Sequence, residues 1–163
     1  MMPFKNPFAK AQRMERYVSI VILSEDLQHI VAIRKNKPIH LIGKLNAVGG
    51  RIDAGEALFD AAVRMIKKET NLVIDKHHLS LIGNLSDADY TFDVAAFVVV
   101  MSFDELMKAR TATDEPVEIW LVAKLIAEPT VDVDFQHMIY EGLRMKSKQR
   151  LYDGSRGIRF SSN

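Results

Sequence analysis

Gly50-Arg-Ile-Asp-Ala-Gly-Glu56-Ala-Leu-Phe-Asp-Ala-Ala-Val-Arg64-Met65-Ile66-Lys67-Lys68-Glu69-Thr70-Asn71-Leu72 is the stretch on which the reading of this chain turns. Glycines at 49, 50 and 55 mark a backbone that turns sharply or approaches something closely. The residues after them change character. Leu58, Ala62, Met65 and Ile66 recur at helical spacing, and no glycine or proline interrupts them, so the pattern predicts a helix over Leu58–Thr70. Glu56 and Asp60 lie near its positive end and Lys67 and Lys68 near its negative end, as the helix dipole favours. Asn71 follows, a residue that tolerates the left-handed conformation of a helix stop.

Outward from this helix the chain alternates strands and helices. Tyr17–Leu23 and His29–Arg34 are rich in Val and Ile and read as a hairpin across Ser24-Glu-Asp. Asn36-Lys37-Pro38 breaks the second strand. Strands are expected over Leu79–Leu85, Tyr90–Phe103 and Ile119–Val122, and a helical turn over Asp104–Ala109. A terminal helix is expected over Phe135–Lys148, with Phe135, Met138, Ile139, Gly142 and Leu143 on one face. This mixture, with a mostly antiparallel character, predicts an α/β (α+β) fold: a mixed sheet sandwiched between helices.

At 163 residues the chain suits one domain, expected over 1–150. The segment from Arg144 to Asn163 holds six basic residues against the single acid Asp153, so 151–163 is expected to be a flexible basic tail. No cysteine is present, which excludes disulfides, thiolate zinc sites and a cysteine nucleophile, and fits a cytoplasmic location. A net charge of +1 gives no steering toward DNA. The longest apolar run, Val94–Met101, is far short of the roughly 18 residues of a membrane span. Met1–Lys10 lacks the apolar stretch of a signal peptide. His77-His78 has no third ligand in view, so a zinc site is not expected.

The stretch from Gly50 resembles the signature of the Nudix superfamily, G-x5-E-x7-R-E-U-x-E-E-x-G-U, with U a bulky aliphatic residue. Gly50, Glu56, Arg64, Ile66, Glu69 and Leu72 match in register. Met65 and Lys68 stand where the family has Glu, and Asn71 where it has Gly. The approach Lys44-Leu-Asn-Ala-Val-Gly-Gly50 is similar to the family's W-N-x-x-G-G, and Glu115 and Glu118 before Trp120 resemble its acidic stretch before the last core strand.

The resemblance implies the Nudix fold and a ligand built on a nucleoside diphosphate linked to another group. It also implies Mg²⁺ held by carboxylates at i, i+3 and i+4 of the helix. Here those positions are Met65, Lys68 and Glu69, so a summed charge of −3 becomes 0. An ammonium about 5 Å from Mg²⁺ is repelled by roughly 7 kcal/mol at most, at an effective dielectric near 20.

Glu69 is therefore the surviving candidate as metal ligand or base, with Glu56 the second catalytic candidate and Glu115 and Glu118 further candidate metal ligands. Lys68 reads either as a solvated helix lysine or as a cation that pairs directly with phosphate. Arg51 is a candidate phosphate fork and Asn46 a candidate base contact. Met65 reads as packing. Gly49, Gly50 and the Glu56–Arg64 pair read as structural support.

Three functions follow from the resemblance. The leading one is recognition of a nucleotide sugar, ADP-ribose or nucleoside triphosphate, with Mg²⁺-dependent pyrophosphohydrolysis impaired or lost and no cofactor. The second is an active hydrolase with one Mg²⁺ on Glu69, resembling GDP-mannose hydrolases, which also lack the first two helix carboxylates. The third is a protein-interaction module on the same scaffold. A homodimer is compatible with all three.

Overall fold

The computed structural model describes residues 14–87 and 91–155. Its centre is β1 (Glu15–Ser24), apolar on both faces because both are covered. Along one edge β1 pairs in parallel with β6 (Phe92–Met101), from Glu15 opposite Phe92 to Ser24 opposite Met101. The other edge is shared. Its first half takes β4 (Val48–Arg51), with Ser19 opposite Gly49, and its end meets β2 (His29–Arg34) at Leu23 and Ile30. Strand β2 pairs with β7 (Val117–Leu121) and with the short β3 (Leu45–Asn46), while β5 (Ser80–Ser86) borders β6. The sheet is mixed, as expected. Its longest ladder is the parallel one, and the remaining ladders between strands are antiparallel.

Alternation along the strands builds two cores. Val18, Ile20 and Ile22 of β1, Ala95, Phe97 and Val99 of β6, and Val31 and Ile33 of β2 pack toward α1 (Leu58–Thr70). Val21 and Leu23, Ala96 and Val98, and Ile30 and Ala32 face the opposite way. They are covered by α3 (Val122–Leu125) and by Phe135, Met138 and Ile139 of α4 (Val133–Ser155). Helix α1 ends at Asn71, which takes φ 62° and donates its N–H to the Lys67 carbonyl, the stop its sequence suggests.

Several boundaries differ from the sequence expectation. Strand β6 ends at Met101 because Ser102 caps the short α2 (Phe103–Leu106), its Oγ accepting from Glu105 N. Val122 opens α3 rather than ending β7, and a single turn is too short to announce itself by periodicity. The glycine-rich approach contains β3 and β4, since glycines do not prevent pairing where the backbone must come close. Helix α4 runs past residue 150 to Ser155; the rest of the expected tail, and Tyr90, lie outside the described residues. No helix among the described residues is long and apolar enough to cross a membrane.

The two adjacent glycines of β4 make different demands. A Cβ on Gly49 would lie 2.4 Å from the Val18 carbonyl oxygen, whereas one on Gly50 would lie 2.5 Å from the Met65 Cε. Backbone cannot step aside, but a methionine end can. Gly49→Ala is expected to cost roughly 3 kcal/mol in urea denaturation and Gly50→Ala about 1 kcal/mol. Equal losses would show that the strand spacing does not set the requirement.

Candidate functional site

The loop entering α1 is held by a brace. Arg64 donates from Nε to Glu56 Oε2 (2.7 Å) and from Nη2 to Glu56 Oε1 (2.8 Å), and Nη2 also reaches the Arg51 carbonyl oxygen (2.9 Å). The Asp53 N–H donates to Glu56 Oε1. The bidentate guanidinium, then the Asp53 amide, hold the Glu56 carboxyl down at about 2. With both oxygens engaged and its proton affinity so low, Glu56 ties the loop to the helix, the supporting role its pairing suggests, and is poorly placed to accept a proton.

Met65, Lys68 and Glu69 share one turn of α1, and Met65 and Glu69 meet β4. Met65 is buried against Gly50 and inside the apolar cluster beneath α1. Lys68 is exposed and makes no ion pair among the described residues. Glu69 is only 7% exposed and accepts a hydrogen bond from Gly49 N (3.2 Å). Burial pushes its carboxyl up to about 7, against the opposing pull of the Gly49 N–H and of Lys35; Glu115 adds to the rise, and Lys68 opposes it.

Lys35 is the residue the sequence reading missed. It follows β2, and its Nζ donates to Glu115 Oε1 at 2.7 Å. Glu115 is 4% exposed, and its other oxygen accepts from Asn36 N (2.8 Å). The structure thus brings Glu115 into the neighbourhood of Glu69. It does not bring Glu118 there. Glu118 lies opposite Ala32, whose side chain belongs to the α4-side core, and is gripped by Arg34 through Nε (2.7 Å) and Nη2 (2.9 Å). Among the described residues no group of three or more His, Asp or Glu side chains is placed to hold a metal ion.

Asn46 and Arg51 sit elsewhere. Asn46 lines a cleft of about 280 Å³ on the α4 side with Ser19, His40, Asp134 and Met138, and its Oδ1 accepts from Ala47 N. A cleft of about 800 Å³, lined by Glu15, Tyr17, His40, Phe92 and Val94, adjoins it through the shared His40, Phe92 and Val94. Arg51 borders this second cleft, pairing with Glu15 (3.0 Å) and lying 5.9 Å from the Tyr17 ring centre. The candidate ligand residues therefore divide between the two sides of the sheet, with β4 between them.

The family model for the NUDIX domain matches residues 14–134. The chain belongs to the Nudix family. Among solved structures, this Nudix fold is similar to a MutT/nudix family protein from Enterococcus faecalis (TM-score 0.70, 16% identity, 85% of this chain) and spans 64% of that protein's length. It is similar to the NUDIX domain of Shewanella oneidensis NrtR complexed with ADP ribose (TM-score 0.67, 19% identity, 91% of this chain and 94% of that one). A third likeness is an ADP compounds hydrolase (TM-score 0.60, 22% identity, 83% and 74%). No curated protein matches the sequence.

The buried Glu69 has a pH signature. Its proton affinity is raised from an ordinary 4.5 to about 7, so the folded chain keeps a proton that the unfolded chain gives up. The stability this contributes is fully present below 4.5 and is lost as pH rises to about 7. The full shift corresponds to roughly 3 kcal/mol. Glu69→Gln keeps an acceptor for Gly49 N and removes the titration. It is expected to be roughly 1–3 kcal/mol more stable than the parent at pH 8 and nearly equal at pH 4.5, by chemical denaturation. A parallel pH dependence in the two proteins would contradict the burial account.

Proposed function

We propose that this Nudix chain recognises a nucleoside diphosphate linked to a further group, of the ADP-ribose or nucleotide-sugar type, and has lost Mg²⁺-dependent pyrophosphohydrolysis. The observation that carries the reading is the face α1 turns to β4. Where the family signature has three carboxylates, Met65 packs on Gly50, Lys68 projects an ammonium to solvent, and only Glu69 remains, buried and bonded to Gly49 N. Mg²⁺ requires several oxygen ligands in near-octahedral array. The residues present do not fit that requirement.

Recognition rests on other features. The paired clefts on the α4 side offer Tyr17, His40 and Phe92 for stacking on a base, with Asn46 as a polar contact. Strand β4 is paired along β1 only. A diphosphate crossing its outer edge would run from these clefts past Arg51 toward Lys68. The likeness to a NUDIX domain complexed with ADP ribose, over nearly its whole length, supports this ligand class.

Calorimetry with ADP-ribose, GDP-mannose and nucleoside triphosphates, each with Mg²⁺ and with chelator, tests the reading. Binding of at least one ligand is expected, changing less than about twofold with Mg²⁺ and weakened about tenfold by Lys68→Glu. Failure of the whole panel to bind would overturn it. A second reading, hydrolysis with Glu69 as base, is favoured by that carboxyl's proton affinity near neutrality. Turnover abolished by Glu69→Gln would establish it instead.

A further inference from the structure

We infer that Lys35 is a built-in cation filling the electrostatic place of a divalent metal between Glu69 and Glu115, so that the pocket takes no metal as it stands. This rests on the proposed loss of Mg²⁺ from the box and assigns the replacement charge to one residue. Ile33 of β2 packs on the α1 side, and strand alternation carried two positions further puts Lys35 on that side too. Val117 and Ile119 pack against the same core, which places Glu115 there by the same parity. Arg34 and Glu118, one step out of phase, pair with each other on the far side.

The two ends meet in a largely covered place. The side chain of Lys35 is 18% exposed and that of Glu115 is 5% exposed. The segment that supplies the ammonium also closes the other Glu115 oxygen, through Asn36 N. Glu69 feels both charges, Lys35 as attraction and Glu115 as repulsion. Two acids and one ammonium are thus largely covered on the α1 side of the sheet, Glu69 bonded to Gly49 N and Glu115 to Lys35. Held here, the ammonium occupies an oxygen that a metal would need and repels any divalent ion that approaches. Lys68 cannot do the same, because its exposed ammonium is free to swing into water. Of the two lysines, the anchored one sets the charge of the pocket.

Lys35→Met and Lys35→Gln test this in nucleotide-free protein, with Mn²⁺ binding read from the electron paramagnetic resonance of the free ion and from thermal melts. The parent and Lys35→Arg are expected to bind no Mn²⁺ saturably up to millimolar concentration. Both other variants should gain a site at least about tenfold tighter. That site should disappear when Glu69→Gln or Glu115→Gln is added. Folded variants with no gain in Mn²⁺ affinity would overturn the inference. If removing Lys35 abolishes the cooperative melt, its recovery with Mn²⁺ supports the inference and its failure to recover overturns it. Tight Mn²⁺ binding by the parent would sink both this assignment and the metal-free reading of the box. Failure to bind any nucleotide would sink the ligand reading alone.

Discussion

At Gly49 the backbone of β4 approaches β1 so closely that no side chain fits between the strands. The Gly49 N–H, no longer part of a crowded surface, is offered to α1, where Glu69 accepts it. Gly50 follows and leaves room for Met65 to lie directly on the strand. Gly49 thus lets β4 close on β1 and Gly50 lets α1 settle onto β4, and this seat sets which turn of α1 meets the sheet. The Glu56–Arg64 brace sets the angle of the incoming loop from the other end. Without the glycine approach, neither the burial of Glu69 nor its nearness to the Lys35–Glu115 pair would follow.

The main elements were legible because each carries its own period. The central strands show apolar residues on both faces, and α1 has an uninterrupted helical spacing ending in Asn71. The parallel pairing of β1 with β6 was not legible, because alternation states which face a residue takes and is silent about direction. The one-turn α3 and the two-residue β3 are too short to have a period at all. Strand β4 was hidden by its glycines, which read locally as a turn.

The site was half legible. The signature register located Arg64, Met65 and Glu69 on the helix and Glu56 in the loop that enters it, since spacing along one helix is fixed by geometry. What it could not give was the company these residues keep across long stretches of chain. Lys35 is 80 positions from Glu115. Yet a signal existed. Counting parity from Ile33 and from Val117 assigns Lys35 and Glu115 to the α1 side and Arg34 and Glu118 to the other, so the two acids before Trp120 were separable before any coordinates. Asn46 and Arg51 resisted this treatment because glycines and bends interrupt the alternation around them.

The pattern of matches within the signature has a physical explanation. Gly50 seats Met65, Glu56 and Arg64 form the brace, Ile66 and Leu72 are buried in the core, and Glu69 bonds Gly49 N. Each matching residue makes a contact that the fold itself uses. The two departures that change charge differ in setting: Met65 lies buried on Gly50 with its sulfur 3.3 Å from Arg64 Nη1, and Lys68 is exposed. Glu69 is the costly match: burial outweighs the pull of its neighbours and leaves the ionised form disfavoured by roughly 3 kcal/mol net, yet the carboxyl accepts from the Gly49 backbone donor. The seating of α1 thus gives Glu69 a structural role of its own, beside any part it takes at the site.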